Sequence, residues 1–308
     1  AGDVVDDLSS GSLANLAGAR SNPDHDFQFH RLDIRDAAVA ELIERRQPDV
    51  VFHLAAQIDV RVSVADPVLD AMINVIGSLN VLEGARRAGT RKVVFASSGG
   101  TIYGAPGGAD LPIKESQPQI PISPYGVAKK AVGDYLAAYR ELHQLEYTAL
   151  ALANVYGPRQ DPHGEAGVVA IFAGRLLADE PCTVYGDGEQ TRDYVYVDDV
   201  VDAFVRASEK GGGLVINIGT GVETSVNDLY ATMARVAGVD RAAVLAPARE
   251  GEVPRSALDA SRAAMQLGWK PWTTSPASSP PPPPPNPGAC STATWWSSPR
   301  RGGPRPRT

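Results

Sequence analysis

Cysteine, aromatic residues and unbroken apolar runs are all scarce in this sequence, and each shortage narrows what the chain can be. Only Cys182 and Cys290 occur in 308 residues, set far apart, which argues against a disulfide framework or a cysteine metal site and fits a reducing cytoplasm. No metal site is expected. No run of eighteen apolar residues exists, and the start, Ala1-Gly2-Asp3-Val4-Val5-Asp6-Asp7, lacks the basic and apolar stretches of a secretion signal. Neither a membrane span nor export is expected. Positive charge is short in the body: taking the four arginines of 274–308 out of the net charge of −7 leaves about −11. An acidic body argues against nucleic acid as a partner.

The final segment differs in kind. Residues 274–308 hold eleven of the 25 prolines, six of them in a row at 280–285, together with Trp295-Trp296. Such a stretch cannot build a helix or a sheet interior, so a disordered proline-rich tail is expected over 273–308. A polyproline segment for a partner is one alternative. Another is out-of-frame translation of a GC-rich gene, because composition changes abruptly after Leu267-Gly268-Trp269-Lys270-Pro271.

What remains is 43% apolar overall, ample for a core. Valine-rich runs at Asp49-Val50-Val51-Phe52-His53-Leu54, Lys92-Val93-Val94-Phe95-Ala96 and Tyr147-Thr148-Ala149-Leu150-Ala151-Leu152 read as buried strands. Between them, residues 36–46, 66–88 and 124–143 carry apolar residues at three- and four-residue spacing and read as helices. The alternation predicts an α/β fold with a doubly wound parallel sheet, whose ligands bind beyond the carboxyl ends of the strands. The pattern loosens after residue 155 and returns as strand at 194–197, helix at 198–209 and strand at 214–218. This predicts a main domain over 1–155 and 191–222 and a smaller α/β lobe over 156–190 and 223–272.

Chemistry concentrates after the strands. In Ser123-Pro124-Tyr125-Gly126-Val127-Ala128-Lys129, the tyrosine and lysine stand four apart and share a helix face. A tyrosine ordinarily titrates near pH 10, so acting as a base at neutral pH needs about 4 kcal/mol of help, which a nearby ammonium can supply in part. The same spacing also arises by accident on helices. Upstream, Ala96-Ser97-Ser98-Gly99-Gly100-Thr101-Ile102-Tyr103-Gly104 follows a predicted strand and offers hydroxyls for a sugar oxygen, although alone it reads as a glycine-serine loop. His53-Leu54-Ala55-Ala56-Gln57 ends another strand with small residues, and Asn74-Val75-Ile76-Gly77 lies in the helix that follows.

In this order the motifs resemble the extended short-chain dehydrogenases/reductases, in their NAD-dependent epimerase/dehydratase branch, over roughly residues 3–272. The resemblance implies a Rossmann-like fold, NAD as cofactor and a catalytic pair of Tyr125 and Lys129, with Ser98 or Thr101 completing a triad. The family usually has one residue fewer between this serine and the Tyr-Gly pair, which leaves both hydroxyls in play, Ser98 favoured. Val4-Val5-Asp6-Asp7-Leu8-Ser9-Ser10-Gly11 resembles the end of the family's second strand. Asp6 would then hold the adenosine ribose, with Asp7 and Ser10 beside it, and its charge would disfavour NADP. Asp33-Ile34 would line the adenine, although Asp33 also reads locally as a helix cap. Leu54, Ala55, Ala56, Gln57 and Asn74 would complete the cofactor site. For a UDP-sugar, the implied contacts are Asn154, Val168, Arg192, Arg249, Glu252 and Ser256, the two arginines holding the diphosphate.

One family element is absent from the sequence: no Gly-x-x-Gly-x-x-Gly turn precedes Asp6, and no later glycine cluster replaces it. About 25 residues of strand, turn and helix are expected ahead of this chain, and weak cofactor retention follows from that expectation. The residues beside the serine bear on the reaction. Dehydratases of the family carry an Asp-Glu pair there and decarboxylases a glutamate, whereas this chain has Gly99-Gly100. The implied reaction is therefore 4-epimerisation of a UDP-hexose through a transient 4-keto sugar. Ser256, where hexose-restricted relatives have a bulky tyrosine, would leave room for a 2-acetamido group. Net reduction, 5-epimerisation and binding without turnover remain the alternatives. The helices at 66–88 and 124–143 would form a homodimer contact.

Overall fold

The computed structural model describes residues 2–22, 26–105, 111–162, 167–248 and 253–273. Two short parallel strands open the chain, β1 (Gly2–Asp6) and β2 (Phe27–Arg31), joined through a 3-10 turn at Leu13–Leu16 and helix α1 (Ala17–Ser21). Helix α2 (Ala38–Arg46) leads to β3 (Val50–His53), followed by α3 (Val60–Ala65) and α4 (Pro67–Ala71). A π-helical turn, Met72–Gly77, joins α4 directly to α5 (Ser78–Ala88). Strand β4 (Lys92–Ser98), the long helix α6 (Pro124–His143) and β5 (Glu146–Leu152) complete the main body before β6 (Asn154–Tyr156). The rest comprises α7 (Val168–Leu177), β7 (Thr183–Tyr185), β8 (Thr191–Arg192), β9 (Tyr194–Tyr196), α8 (Val197–Ala207), β10 (Leu214–Ile218), β11 (Thr224–Ser225), α9 (Val226–Ala237), β12 (Val244–Ala246) and α10 (Ser261–Leu267).

Strands β3, β4, β5 and β10 form one parallel sheet in the order β10-β5-β4-β3. Alternate residues of β4 and β5 face different layers. Val93, Phe95, Tyr147 and Ala149 meet Val39, Val81, Leu82, Val132 and Leu136 from α2, α5 and α6. Val94 and Leu150 meet Val200, Phe204, Leu267 and Trp269 on the opposite side. A strand whose two faces are both covered must be apolar at every position, which is why these runs do not alternate with polar residues. Val5 and Leu32 join the first of these cores, yet among the described residues no ladder connects β1 to β3. Among the described residues the edge of β3 away from β4 has no strand partner, and Phe52 on β3 and Leu54 just after it are 46% and 56% exposed. A third core gathers Tyr156, Phe172, Leu176, Val184, Val226, Leu229 and Tyr230 from the later elements.

Local chemistry sets the helix ends. Ser123 accepts a hydrogen bond from the Gly126 amide and Pro124 occupies the first turn of α6; Gln144, at φ 57°, ends it. Asp66 caps α4 ahead of Pro67. The run Pro67–Ala88 spans 22 residues and is apolar enough to cross a membrane by length and composition, although Asp70, Glu83, Arg86 and Arg87 interrupt it. It packs as a core helix here: Val81, Leu82 and Ala85 lie inside, and Asp70 and Asn74 are buried with hydrogen-bond partners.

Candidate active site

Because β3, β4, β5 and β10 run parallel, Gln57, Ser98, Asn154 and Thr220 all leave from one edge of the sheet. Helix α6 starts against that edge. A side chain at Gly126 would stand 2.9 Å from the Thr101 carbonyl and 2.9 Å from Pro121, so glycine there is what lets the helix approach the loop after β4. Tyr125, 9% exposed, is thereby set beside the Ser98–Thr101 loop.

Lys129 lies one helical turn further in and is 3% exposed. Its Nζ donates to the Ala96 carbonyl at 2.9 Å and sits 4.7 Å from the Phe95 ring centre and 5.7 Å from that of Tyr125. Burial pushes its titration down to about 8, opposed by the negative charge of Asp70. His53, on β3, is buried and driven to about 3 by desolvation and by the Lys129 charge. It is therefore neutral. Its Nε2 lies 2.8 Å from Ser78 Oγ, which itself donates to the Asn74 carbonyl, so Nε2 carries the proton.

Ser98 and Thr101 take different positions. The Ser98 carbonyl receives the Thr101 and Ile102 amides, and its side chain remains half-buried at the end of β4. Thr101 Oγ1 is enclosed and has no hydrogen-bond partner among the described residues. Between them, a side chain at Gly99 would meet Leu258 Cδ1 at 2.4 Å, whereas one at Gly100 would meet nothing within 4 Å.

The proposed cofactor residues fall into two groups. Gln57 and Asn74 are tied together: the Gln57 amide donates to Asn74 Oδ1 at 2.9 Å, and Asn74 Nδ2 donates back to the Gln57 carbonyl at 2.9 Å. Leu54 and Ala55 are exposed just before them, and Ala56 is half-buried. The second group lies near β1. Asp6 receives the Leu8 amide at 2.7 Å and would crowd any side chain at Gly11, Asp7 receives the Ser9 amide and hydroxyl, and Ser10 is exposed. Asp33 is paired with Arg35 through its amide and guanidinium, which holds the carboxyl below its usual range. It caps no helix; Asp36 instead receives the Ala38 amide where α2 begins. Ile34 is 8% exposed, its side chain in the core against Gly77. These residues suit the ribose and nicotinamide portions of a dinucleotide: acid at a strand end, small exposed residues at the next, a buried ammonium behind. The sequence supplies no glycine-rich turn for the pyrophosphate.

On the later elements, Asn154 opens β6, its amide bonded to the Asp193 carbonyl, and Val168 opens α7, half-buried. Arg192 is half-buried on β8, donating to the Thr191 carbonyl, and Ser256 is buried at 6% exposure. Arg249 and Glu252 lie outside the described residues, as does the tail from residue 274. Of the three buried acids among the described residues that the sequence did not single out, Asp70, Asp193 and Asp199, the first two bear on the sheet edge. Asp193, between β8 and β9, receives the Thr220, Gly221 and Leu258 amides and the Thr220 hydroxyl, fastening the loop after β10 and the Leu258 segment to that junction. Asp70 receives Gln57 and Asn74, and its signal was its place four residues before Asn74 in an apolar run.

Residues 4–219 match the sequence profile of the NAD dependent epimerase/dehydratase family, and the chain belongs to that family. A UDP-glucose 4-epimerase of Mycolicibacterium smegmatis is 51% identical over 268 residues, 87% of this chain and 84% of that protein. Among solved structures, a UDP-glucose 4-epimerase of Thermotoga maritima with UDP-glucose is 46% identical, with TM-score 0.82 over 88% of this chain and 86% of that one. A UDP-N-acetylglucosamine 4-epimerase of Methanobrevibacter ruminantium, in complex with UDP-N-acetylmuramic acid, is 33% identical, with TM-score 0.80 over 87% and 84%.

Proposed function

We propose that this chain carries the catalytic machinery of an NAD-dependent 4-epimerase acting on UDP-hexoses. The observation that carries the reading is the buried Lys129 ammonium, fixed on the Ala96 carbonyl beneath the Tyr125 ring at the sheet edge where Ser98 emerges. Tyr125 takes the proton from the sugar 4-hydroxyl and later returns it. Lys129 stabilises the phenolate, and Ser98, more open than the enclosed Thr101, hydrogen-bonds the sugar oxygen. NAD, held by Asp6, Asp7 and the loop of Gln57 and Asn74, would supply reversible hydride acceptance at the sugar C4. Asp6 and Asp7 serve its ribose; Gln57 and Asn74 fix the loop at its nicotinamide end. Asn154, Val168, Arg192, Arg249 and Glu252 hold the UDP portion while the ring turns over, and the lobe over 156–190 and 223–272 is the part that grips it. Gly99-Gly100 supports epimerisation over dehydration, since no second acid stands beside Ser98.

The test is product NMR with UDP-galactose and NAD supplied. Interconversion with UDP-glucose, abolished in Tyr125→Phe with sugar binding retained, is the expected result; turnover undiminished in that variant overturns the mechanism. Net consumption of NADH would favour a reductase. The same assay separates the competing reading, in which the chain binds UDP-sugar and turns nothing over: sugar binding without interconversion when NAD is supplied would favour it. Buried Ser256 supports acceptance of the 2-acetamido sugars, so Ser256→Tyr should suppress those substrates selectively. A homodimer through α4 and α6 is supported by exposed Val68, Met72, Val127 and Tyr135, beside a groove of about 550 Å³ lined by Pro67, Ile122 and Ala131. Sedimentation of Val127→Glu tests it. Cys182, a buried free thiol, supports a cytoplasmic setting.

A further inference from the structure

The Lys129 ammonium poses a question that its own contacts leave open. It is buried, its hydrogen bond goes to a neutral carbonyl, and among the described residues no carboxylate lies within ion-pair distance of it. A buried ammonium without a counter-charge is expensive and tends to lose its proton. The groups around it come from three elements. His53 on β3 is neutral, Tyr125 stands one turn away on α6, and Asp70 on α4 lines one groove with Ala128, the residue before Lys129, so that its field reaches the ammonium. Asp59 and Asp66, at the starts of α3 and α4, are occupied by Arg61 and by the Leu69 amide.

Asp70 is 1% exposed. Burial pushes its titration up, and against that its Oδ1 receives Gln57 Nε2 at 2.9 Å and Asn74 Nδ2 at 2.8 Å, two amide donors on one oxygen that favour the carboxylate. The same two residues clamp the loop after β3 to the π-helical turn, and Ser78 extends the network to His53. π-Helical turns recur at functional sites, and this one carries the buried Asn74.

We propose that Asp70 is a positioning residue of the catalytic pair, holding Gln57 and Asn74 at the nicotinamide end of the site while serving as the counter-charge that keeps Lys129 protonated. This rests on the epimerase reading above, because only a base such as Tyr125 needs the ammonium. It deepens that reading by locating the charge balance one layer behind the reacting groups.

The sequence holds six lysines, so 13Cε-lysine NMR can follow Lys129 individually, assigned by Lys129→Met. In the isolated chain Lys129 should titrate near pH 8. Asp70→Asn, which keeps the amide partners but removes the charge, should lower that midpoint by about one pH unit, a tenfold change in the dissociation constant. An unchanged midpoint overturns the proposal. If Asp70→Asn does not fold, 13Cγ-aspartate NMR on Lys129→Met gives the reciprocal measurement: the Asp70 midpoint should rise, and no movement overturns the proposal equally. With substrate and NAD, Asp70→Asn should lower kcat and move its acid limb upward at unchanged KM, with partial rescue by Asp70→Glu. A raised KM at unchanged kcat counts against it. The lysine titration needs neither substrate nor cofactor, so coupling observed without epimerisation supports Asp70 as the counter-charge and overturns the functional reading alone.

Discussion

Gly99 and Gly100 are adjacent in a segment that bears on the reaction, yet substitution should separate them sharply. A Cβ at 99 would stand 2.4 Å and 3.0 Å from the Leu258 methyls and 3.2 Å from the Ala151 carbonyl, against ordinary carbon contacts of about 3.5–4.0 Å. Leu258 cannot swing aside. It is fully buried among Ile102, Tyr103, Ile113 and Ala151, and its amide is pinned to Asp193. Overpacking of this kind costs about 1–3 kcal/mol, while replacing glycine by alanine stabilises by about 0.4–1 kcal/mol through the unfolded chain. The clash wins: Gly99→Ala should destabilise by about 1–2 kcal/mol. Gly100→Ala faces open space and should be neutral or stabilising. Urea denaturation reads both, and in a double-mutant cycle Leu258→Val should recover at least about 0.5 kcal/mol of the Gly99→Ala loss. A midpoint for Gly99→Ala at or above that of the wild type, or strict additivity with Leu258→Val, would refute the packing argument. The same geometry makes position 100, rather than 99, the place where an acid of the dehydratase kind could be installed.

Lys129 titrates near 8 when folded, whereas an unfolded lysine keeps its proton to about pH 10.4, so from pH 8 upward the unfolded state holds more protons and stability rises by up to about 1.4 kcal/mol per pH unit. Urea midpoints between pH 7 and 10 should show that rise in the wild type and lack it in Lys129→Met; parallel profiles would contradict it. His53, neutral until about pH 3, acts at the other end: stability present above pH 6.5 is lost as pH falls toward 3, and His53→Asn should flatten that acid limb in the same assay. Thr101→Val removes a buried hydroxyl that makes no bond, so thermal stability should hold or improve, whereas Ser98→Ala should cut turnover at least about tenfold while Thr101→Val cuts it less. Equal losses of turnover would return the triad assignment to both hydroxyls.

The catalytic helix was readable in the sequence because its signals are local. A serine cap, a proline in the first turn and Tyr-x-x-x-Lys on one face need nothing from the rest of the chain, and α6 occupies the expected 124–143. Strands β3, β4 and β5 were equally legible, being apolar at consecutive positions. Strand β2 was not: Phe27-Gln28-Phe29-His30-Arg31 mixes polar residues into a strand with one covered face. Asp70 escaped for a different reason. An acid near the start of a helix ordinarily marks the helix dipole or a cap, and only tertiary packing turns it inward onto Gln57 and Asn74. Asp193 likewise reads as a charge in a short segment until four donors from distant positions converge on it.

The edge of β3 that no described strand covers presents a row of backbone N–H and C=O groups. Pairing there runs through the main chain, so an added strand is held whatever side chains it carries, little affected by salt. The sequence-led expectation of one more strand ahead of Gly2 gives that row an occupant, which would carry the cofactor turn to the same sheet edge as Gln57 and Ser98.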